Sequence, residues 1–422
     1  MDGCYLARMR FTVVLVAVMV LLGCGKSSGP PAPPPDASAT PGASATPARQ
    51  ARIAKLARGT SVAYALLVDG TIHRWGLVAV RTREDAPVAM TGLVGKFVDV
   101  SADRHACAVN DAGEVWCWGE NAFGALGNGT SVPLGSSEMG PVKALVSDAK
   151  SVCVDGLFSC ALHRTGTVSC WGNGPWGRDV HHEVPVLMPG FTRVTSIACG
   201  GAHLCAVDED GVLRCMGRGV AGALGDRKRG DFYRPTPVVA AGVHAAGPLV
   251  TDTCFTCAAV DGDRVRCWGV PFSRRCSSAL PTPVPEDSSE TTEVDDGKKR
   301  DGGASPWFAD VTFRIPRVVE LQRQKAIGGV CARSSDGRVH CWGASEDKSR
   351  VRRDEGPVFG EEPTLVDGLG GATHLTESCA SVLRDGARRD AIVCWGEPLA
   401  RFDAGPEEYS WNVRLAPAEL PW

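Results

Sequence analysis

Six pairs of cysteines recur along this chain at the spacing of a β-hairpin, and the chemistry they suggest first is oxidation to disulfides. The stretch "HACAVNDAGEVWCWG" carries Cys107 and Cys117, ten positions apart. Cys160 and Cys170, Cys205 and Cys215, Cys257 and Cys267, and Cys331 and Cys341 keep that interval. Cys379 and Cys394 keep the flanking pattern around a longer middle. A seventh copy, "VAYALLVDGTIHRWG", has Tyr64 and Arg74 at the two positions. Both cysteines are missing together there, as expected of partners in one bond. Eighteen cysteines in all fit an oxidising compartment.

Other reactive groups carry less. Setting aside Cys4 and Cys24 leaves 16 cysteines, of which 12 lie in the hairpins. The remaining four are Cys153, Cys199, Cys254 and Cys276. They permit two more bridges, Cys254 with Cys276 inside one unit and Cys153 with Cys199 between neighbours, but the sequence does not decide the pairing. Cys254 and Cys257 form a C-x-x-C, a pattern used in redox and zinc chemistry. Cys257 already belongs to a hairpin pair and no second C-x-x-C completes a zinc site, so no metal is expected. His105 and His203 stand two residues before a hairpin cysteine, where other copies have Phe158 and Phe255. A position that accepts Phe is structural rather than catalytic. His181 and His182 are adjacent in a polar loop, which is not a usual metal-site spacing. No Ser/His/Asp order, phosphate-cradling glycine loop or carboxylate pair stands out. Neither catalysis nor a cofactor is expected.

The cysteines need strands to hold them. Between Cys107 and Cys117 the chain alternates and turns through Asp111-Ala112-Gly113, a three-residue loop with Gly113 at the left-handed position. Gly70, Gly166, Gly211 and Gly337 share that offset. The register sets Cys107 opposite Cys117 in a non-hydrogen-bonded pair, with α-carbons ~4.5 Å apart and within disulfide reach. It also sets the residue before the first cysteine opposite the tryptophan after the second: Ala63/Trp75, Ala106/Trp118, Ser159/Trp171, Thr256/Trp268, Val330/Trp342 and Ser378/Trp395. Where the tryptophan becomes Met216 its partner grows to Leu204, the volume exchange that close packing requires.

A Val- and Ile-rich stretch precedes each hairpin, and a Pro-led segment precedes that, at Pro87, Pro141, Pro185, Pro237, Pro316 and Pro363. Each unit thus has about four short strands. The shortest interval between first cysteines, Cys160 to Cys205, is 45 residues, enough for a propeller blade. A last Pro-led segment, "LAPAELPW", ends the chain, and the first hairpin has none before it. The expectation is an all-β, seven-bladed β-propeller of four-stranded antiparallel blades, its ring closed by the C-terminal strand joining the first blade.

The pattern C-A-(V/L)…D-G-x-V-x-C-W-G, with "GALG" at Gly124–Gly127 and Gly222–Gly225, resembles the regulator of chromosome condensation repeat over about residues 50–422. That resemblance implies a seven-bladed propeller. A WD-repeat propeller is the rival, but no Gly-His…Trp-Asp pair recurs. The family's founding member acts on a small GTPase, and its functional residues are not carried over to this sequence.

Residues 1–23 read as a signal peptide: Arg8 and Arg10 precede the apolar run Phe11 to Leu22, short of the ~20 residues a spanning helix needs. Leu21-Leu22-Gly23-Cys24 resembles the bacterial lipobox, which implies cleavage before Cys24 and acylation there. The alternative is a plain signal peptide with an incidental cysteine. Residues 24–50 form a Pro-, Ala- and Ser-rich tether, and 51–422 the propeller, with an insertion over about 273–312. The expected location is the bacterial cell envelope, at the outer membrane or cell surface, with the lipid as the sole membrane contact. The balance of 45 basic and 48 acidic residues gives no basic excess for nucleic acid.

The connection after Trp-Gly varies most in length and always emerges on one face, and insertions gathered on one face mark a binding face. The connections carry residue types favoured as interface anchors: Trp176 and Arg178; Phe232, Tyr233 and Arg234; Phe272, Arg274 and Arg275; Trp307 and Phe308; Tyr409 and Trp411. The alternative at each is a ring that covers its own loop. The expected function is non-catalytic: a monomeric, surface-tethered lipoprotein that binds another protein or envelope macromolecule. One alternative is a secreted enzyme inhibitor similar to propeller-type β-lactamase inhibitor proteins. Another is an enzyme or lectin with its site in the central channel.

Overall fold

The hairpin segments are runs of Ala, Cys, Val and Trp, and they form the middle pair of strands in antiparallel sheets that bury both faces. The computed structural model describes residues 52–79, 82–136, 139–177, 180–228, 232–269, 311–324, 329–343, 362–376, 379–383, 390–396 and 414–419. The first sheet holds β1 (Ile53–Arg58), β2 (Val62–Leu67), β3 (Ile72–Ala79) and β4 (Thr82–Ala89). The second holds β5 (Phe97–Ala102), β6 (His105–Asn110), β7 (Val115–Gly119) and β8 (Met139–Lys143). The third holds β9 (Ala149–Asp155), β10 (Phe158–His163), β11 (Val168–Gly172) and β12 (His182–Leu187).

The fourth sheet has seven strands: β13 (Val194–Gly200), β14 (His203–Asp208), β15 (Val212–Arg218), β16 (Tyr233–Asp252), β17 (Phe255–Val260), β18 (Arg264–Gly269) and β19 (Val311–Arg314). The fifth holds β20 (Val318–Gln324), β21 (Gly329–Ser334), β22 (Val339–Gly343) and β23 (Thr364–Leu365). The sixth holds β24 (Ala372–Leu375), β25 (Cys379–Val382), β26 (Ala391–Gly396) and β27 (Arg414–Glu419). One 3-10 turn, Val220–Gly222, is the sole helical element among the described residues. β19 takes Val311 and Thr312 out of the insertion expected over 273–312; residues 270–310 lie outside the described residues.

The sheets stack face to face. The third meets the fourth through Phe158, Leu162, Met188, Leu204 and Met216, and the first meets the second through Tyr64, Leu66, Val100 and Trp118. Inner strands follow one another in the order β1, β5, β9, β13, β16, β20, β24, and β24 returns to β1. The fold is an all-β propeller.

The ring does not close as the sequence suggested. β27 pairs with β26 of its own sheet and takes no place in the first sheet. The first sheet is complete from its own segment, because β1 supplies its inner strand and β4 its outer strand. The Pro-led segment belongs to the hairpin before it and not to the one after, so no edge was left for the C-terminus to fill. Closure is by packing instead: Ile53, Leu56 and Trp75 meet Cys379 and Ile392. Asp390 then accepts the Ile53 backbone N–H at 2.8 Å and pairs with Arg52 at 3.3 Å.

Within the seven-stranded sheet, β16 is 20 residues long and pairs twice. Its first half sets Val238 against Cys215, and its second half sets Val250 against Cys257. Pro316 falls between β19 and β20 rather than in an outer strand.

The outer-strand prolines have a geometric reason. Ala144, Met188 and Met90 donate their backbone N–H inward, to Val115, Val168 and Ile72. Inward N–H groups recur at every second residue, so Pro141, Pro185 and Pro87, three positions earlier, fall on the outward side. There the missing N–H blunts an open sheet edge.

Candidate interaction face and its buried charge network

Two kinds of connection emerge at the same end of the ring: the turn from inner strand to hairpin, and the variable link from hairpin to outer strand. The turns carry a side-chain ladder. Asp99, Ser101 and Asp103 lie at alternate positions on and just after β5, so they face the same way. Asp99 accepts the Val152 N–H at 2.8 Å, Ser101 Oγ that of Val154 at 3.1 Å, and Asp103 Oδ2 that of Gly156 at 2.9 Å. Lys55 from β1 pairs with Asp99 at 2.5 Å, so this carboxylate ties three sheets together. Asp155 repeats the device toward the next sheet, accepting the Gly201 N–H at 2.6 Å.

Arg323 on β20 reaches these turns from across the ring. Its guanidinium pairs with Asp103 Oδ2 at 3.2 Å and also with Asp155 Oδ1, and all three residues are buried. The bridge spans sheets that are not neighbours in the ring, with one guanidinium fork holding two carboxylates. Sequence reasoning missed the trio. Its signal is an Asp recurring just ahead of the hairpin, at Asp103, Asp155 and Asp252, which reads as ordinary turn chemistry when met in sequence.

His105 and His203 lie at the root of the same turns. His105 Nε2 meets Ser159 Oγ of the next sheet at 2.6 Å, and Ser159 donates to the Ala125 carbonyl at 3.2 Å. His203 Nε2 meets Thr256 Oγ1 at 3.5 Å, and Thr256 donates to the Ala223 carbonyl at 2.9 Å. Burial pushes both imidazoles down to about 4, so both are neutral at pH 7. Each is a strut between sheets, not a proton carrier facing solvent.

The two "GALG" stretches end the same circuit. Trp171 donates its indole N–H to Ala125 O at 2.8 Å, and Trp268 donates to Ala223 O at 3.0 Å. A Cβ on Gly127 would lie 2.7 Å from Trp171 Nε1, so only glycine leaves room for the ring. The repeated residues are thus the contacts between neighbouring units. Models of the regulator of chromosome condensation (RCC1) repeat match residues 98–125, 112–162 and 194–223, which hold one side of each of these contacts. Over residues 98–162 and 194–223 the chain is built of regulator of chromosome condensation repeats.

Relatives in this family are partial matches. Human E3 ubiquitin-protein ligase HERC2 is 30% identical over 178 residues, covering 38% of this chain and 4% of that protein. The mitochondrial RCC1 domain-containing protein RUG3 of Arabidopsis thaliana is 30% identical over 234 residues, covering 49% of this chain and 51% of that protein. The chain thus spans at most about half the length of these curated relatives. The crystal structure of Prp20p from Saccharomyces cerevisiae superposes with a TM-score of 0.58 at 17% identity and covers 82% of each chain, a likeness of fold.

On this RCC1-type scaffold the described anchor residues are held by their own loops. Trp176 is half-buried, lies over Gly174, sets its ring 4.7 Å from that of His182, and donates its N–H to Val180 O at 2.7 Å. Arg234 pairs with Asp226 at 2.9 Å and sits 5.4 Å from the Phe232 ring centre. The two groups are neighbours, because Gly217 abuts Pro175 of the Trp176 loop while pairing with Arg234, and Arg218 pairs with Tyr233. Arg178, Phe272, Arg274, Arg275, Trp307, Phe308, Tyr409, Trp411 and Cys24 lie outside the described residues. His181 and His182 turn to different rings, Phe123 and Trp176.

The hairpin cysteines face each other with α-carbons 4.1 Å apart for Cys107 and Cys117 and 3.9 Å for Cys379 and Cys394, and all six pairs are joined in the structure. Cys153 is joined to Cys199, from the third sheet to the fourth. Cys254 is also disulfide-bonded.

Proposed function

We propose that this chain is a lipid-tethered, seven-bladed, non-catalytic propeller that binds another protein through the face carrying its variable connections. The doubly paired β16 supports the blade count, since its halves complete two four-stranded units. The observation that carries the binding face is the contrast between the two ends of the ring. At the hairpin-turn end, the Gly70, Gly113, Gly166 and Gly211 carbonyls accept N–H groups from the start of the next inner strand, at Phe97, Ala149, Val194 and Ala245. That end is committed to ring assembly. The other end carries the connections that vary, with Trp176 and Tyr233 on adjoining loops.

The fold neighbour supports a protein partner: Prp20p is described with binding properties to Gsp1p and histones. The lipobox at Cys24 supports the tether, and an envelope location follows from it. Affinity capture with the full-length chain from an envelope extract tests the reading. Alanine at Trp176 or Tyr233 is expected to cost at least ~2 kcal/mol of binding if these are hot spots. Losses confined to hairpin-turn residues would place the partner on the opposite face. Recovery of one dominant hydrolase would move the function to enzyme inhibition. Fatty-acid labelling lost in Cys24→Ser is the expected result for the anchor, and labelling that persists removes it.

A further inference from the structure

Cys153, Cys160 and Cys170 stand in one row across β9, β10 and β11, with Cys160 facing Cys170 on one side and Cys153 on the other. The matching row in the second sheet is Ser101, Cys107 and Cys117, and that of β13 to β15 is Ala198, Cys205 and Cys215. The third sheet therefore places an extra sulfur beside a hairpin disulfide. That sulfur is bonded out of the row, to Cys199 of the neighbouring sheet. The Sγ atoms of Cys153, Cys160 and Cys199 all lie within 4.8 Å of one another. Two disulfides are thus packed sulfur against sulfur. Exchange between disulfides requires a thiolate held against one sulfur of an intact bridge. Opening either of these two bridges creates that arrangement.

The bridges differ in access. Cys160 and Cys170 expose nothing, whereas Cys153 and Cys199 keep 8% and 7% of their surface. A dissolved dithiol meets the inter-sheet bridge first. We propose that these four cysteines form a thiol–disulfide exchange site, opened at Cys153–Cys199 by a dithiol reductant and re-closed as Cys153–Cys160. In the first step the dithiol gives two electrons and two protons, leaves as its own disulfide, and Cys153 and Cys199 become thiols. In the second, the Cys153 thiolate attacks Cys160 Sγ. The Cys153–Cys160 bond forms and the Cys160–Cys170 bond breaks. Its electron pair leaves on Cys170, which takes the proton that Cys153 gave up, so no further electrons are needed. Cys153 and Cys160 are directly opposed on adjacent strands in a hydrogen-bonded pair, where α-carbons are ~5.5 Å apart, inside the disulfide range. The exchange releases the covalent tie between the third and fourth sheets. Trp176 packs on the same cluster as these sulfurs, so the tie adjoins the loops assigned to partner binding.

The experiment is graded dithiothreitol on the oxidised full-length chain, with trapping of free thiols and peptide mapping without reduction. Cys153–Cys199 is expected to open first. A peptide joining Cys153 to Cys160, with Cys170 trapped as a thiol, is expected next. Loss of Cys160–Cys170 is expected to run at least ~10-fold faster than loss of Cys205–Cys215, because only the former has an internal attacking thiol. In Cys199→Ser, Cys153 is left as a permanent thiol, and the Cys153–Cys160 peptide is expected without reductant. In Cys153→Ser with Cys199→Ser, Cys160–Cys170 is expected to become as resistant as Cys205–Cys215. Equal opening of the two hairpin bridges in the wild type, or no Cys153–Cys160 peptide under any condition, overturns the proposal. If the double variant does not fold, the wild-type time course decides alone.

Discussion

His105 and His203 are single residues through which the fold answers acid, as is His374. Burial holds both at about 4 in the folded chain, against 6.5 when exposed. Between those values the unfolded chain binds protons that the folded chain refuses. Their contribution is therefore fully present above pH 6.5, is lost as pH falls, and levels off below about 4. Each accounts for up to ~3 kcal/mol. Urea unfolding across this range is expected to show the loss. His105→Phe with His203→Phe, a residue that other copies already carry, is expected to reduce it and leave the share of His374, which burial also lowers to about 4, and an unchanged profile would assign the acid response to other groups. Arg323 is the second residue-scale case. Arg323→Ala removes the cation that bridges two buried carboxylates and is expected to cost ~3–5 kcal/mol, read as a lower melting temperature. Adding Asp103→Asn and Asp155→Asn is expected to recover part of that loss, since two buried negative charges are then gone.

At the scale of the strand, proline removes donors that the outer edges would otherwise offer to another copy. Pro141 and Pro185 sit where the N–H would otherwise point outward from β8 and β12. Pro141→Val with Pro185→Val restores those donors and leaves the inward ladder intact. Sedimentation is expected to show concentration-dependent association of the variant, with the wild type unchanged, and a variant as monodisperse as the wild type would remove edge protection as the role.

For the whole molecule the decisive joint is the one between chain ends. The first and sixth sheets meet through apolar packing and through Asp390, which holds Arg52 and the Ile53 N–H. Among the described residues no strand is exchanged there. Asp390→Ala is therefore expected to weaken that joint first. Hydrogen exchange should accelerate in β1 and β24 before it does in β9 or β13. Uniform acceleration around the ring would show that closure is no weaker than the other joints.

Much of this protein follows from the sequence alone. Hairpin register is a local property: spacing, the turn ending at Gly113 and the size match of Leu204 with Met216 placed cysteines and tryptophans against the partners they have in the structure. Repetition of that unit led to sheets stacked around a ring. Tertiary structure decided what depends on phase and on contacts distant in sequence. A repeat has no intrinsic starting point, so sequence could not show that the Pro-led strand ends a unit rather than begins one, and it misplaced the C-terminal strand for that reason. Arg323 meets Asp103 across 220 residues, and no local pattern marks such a pair. Cys153 and Cys199 were one of two permitted extra bridges on spacing. Only the stacking of the third sheet on the fourth brings their sulfurs together, because the faces that touch are set by ring geometry and not by chain order.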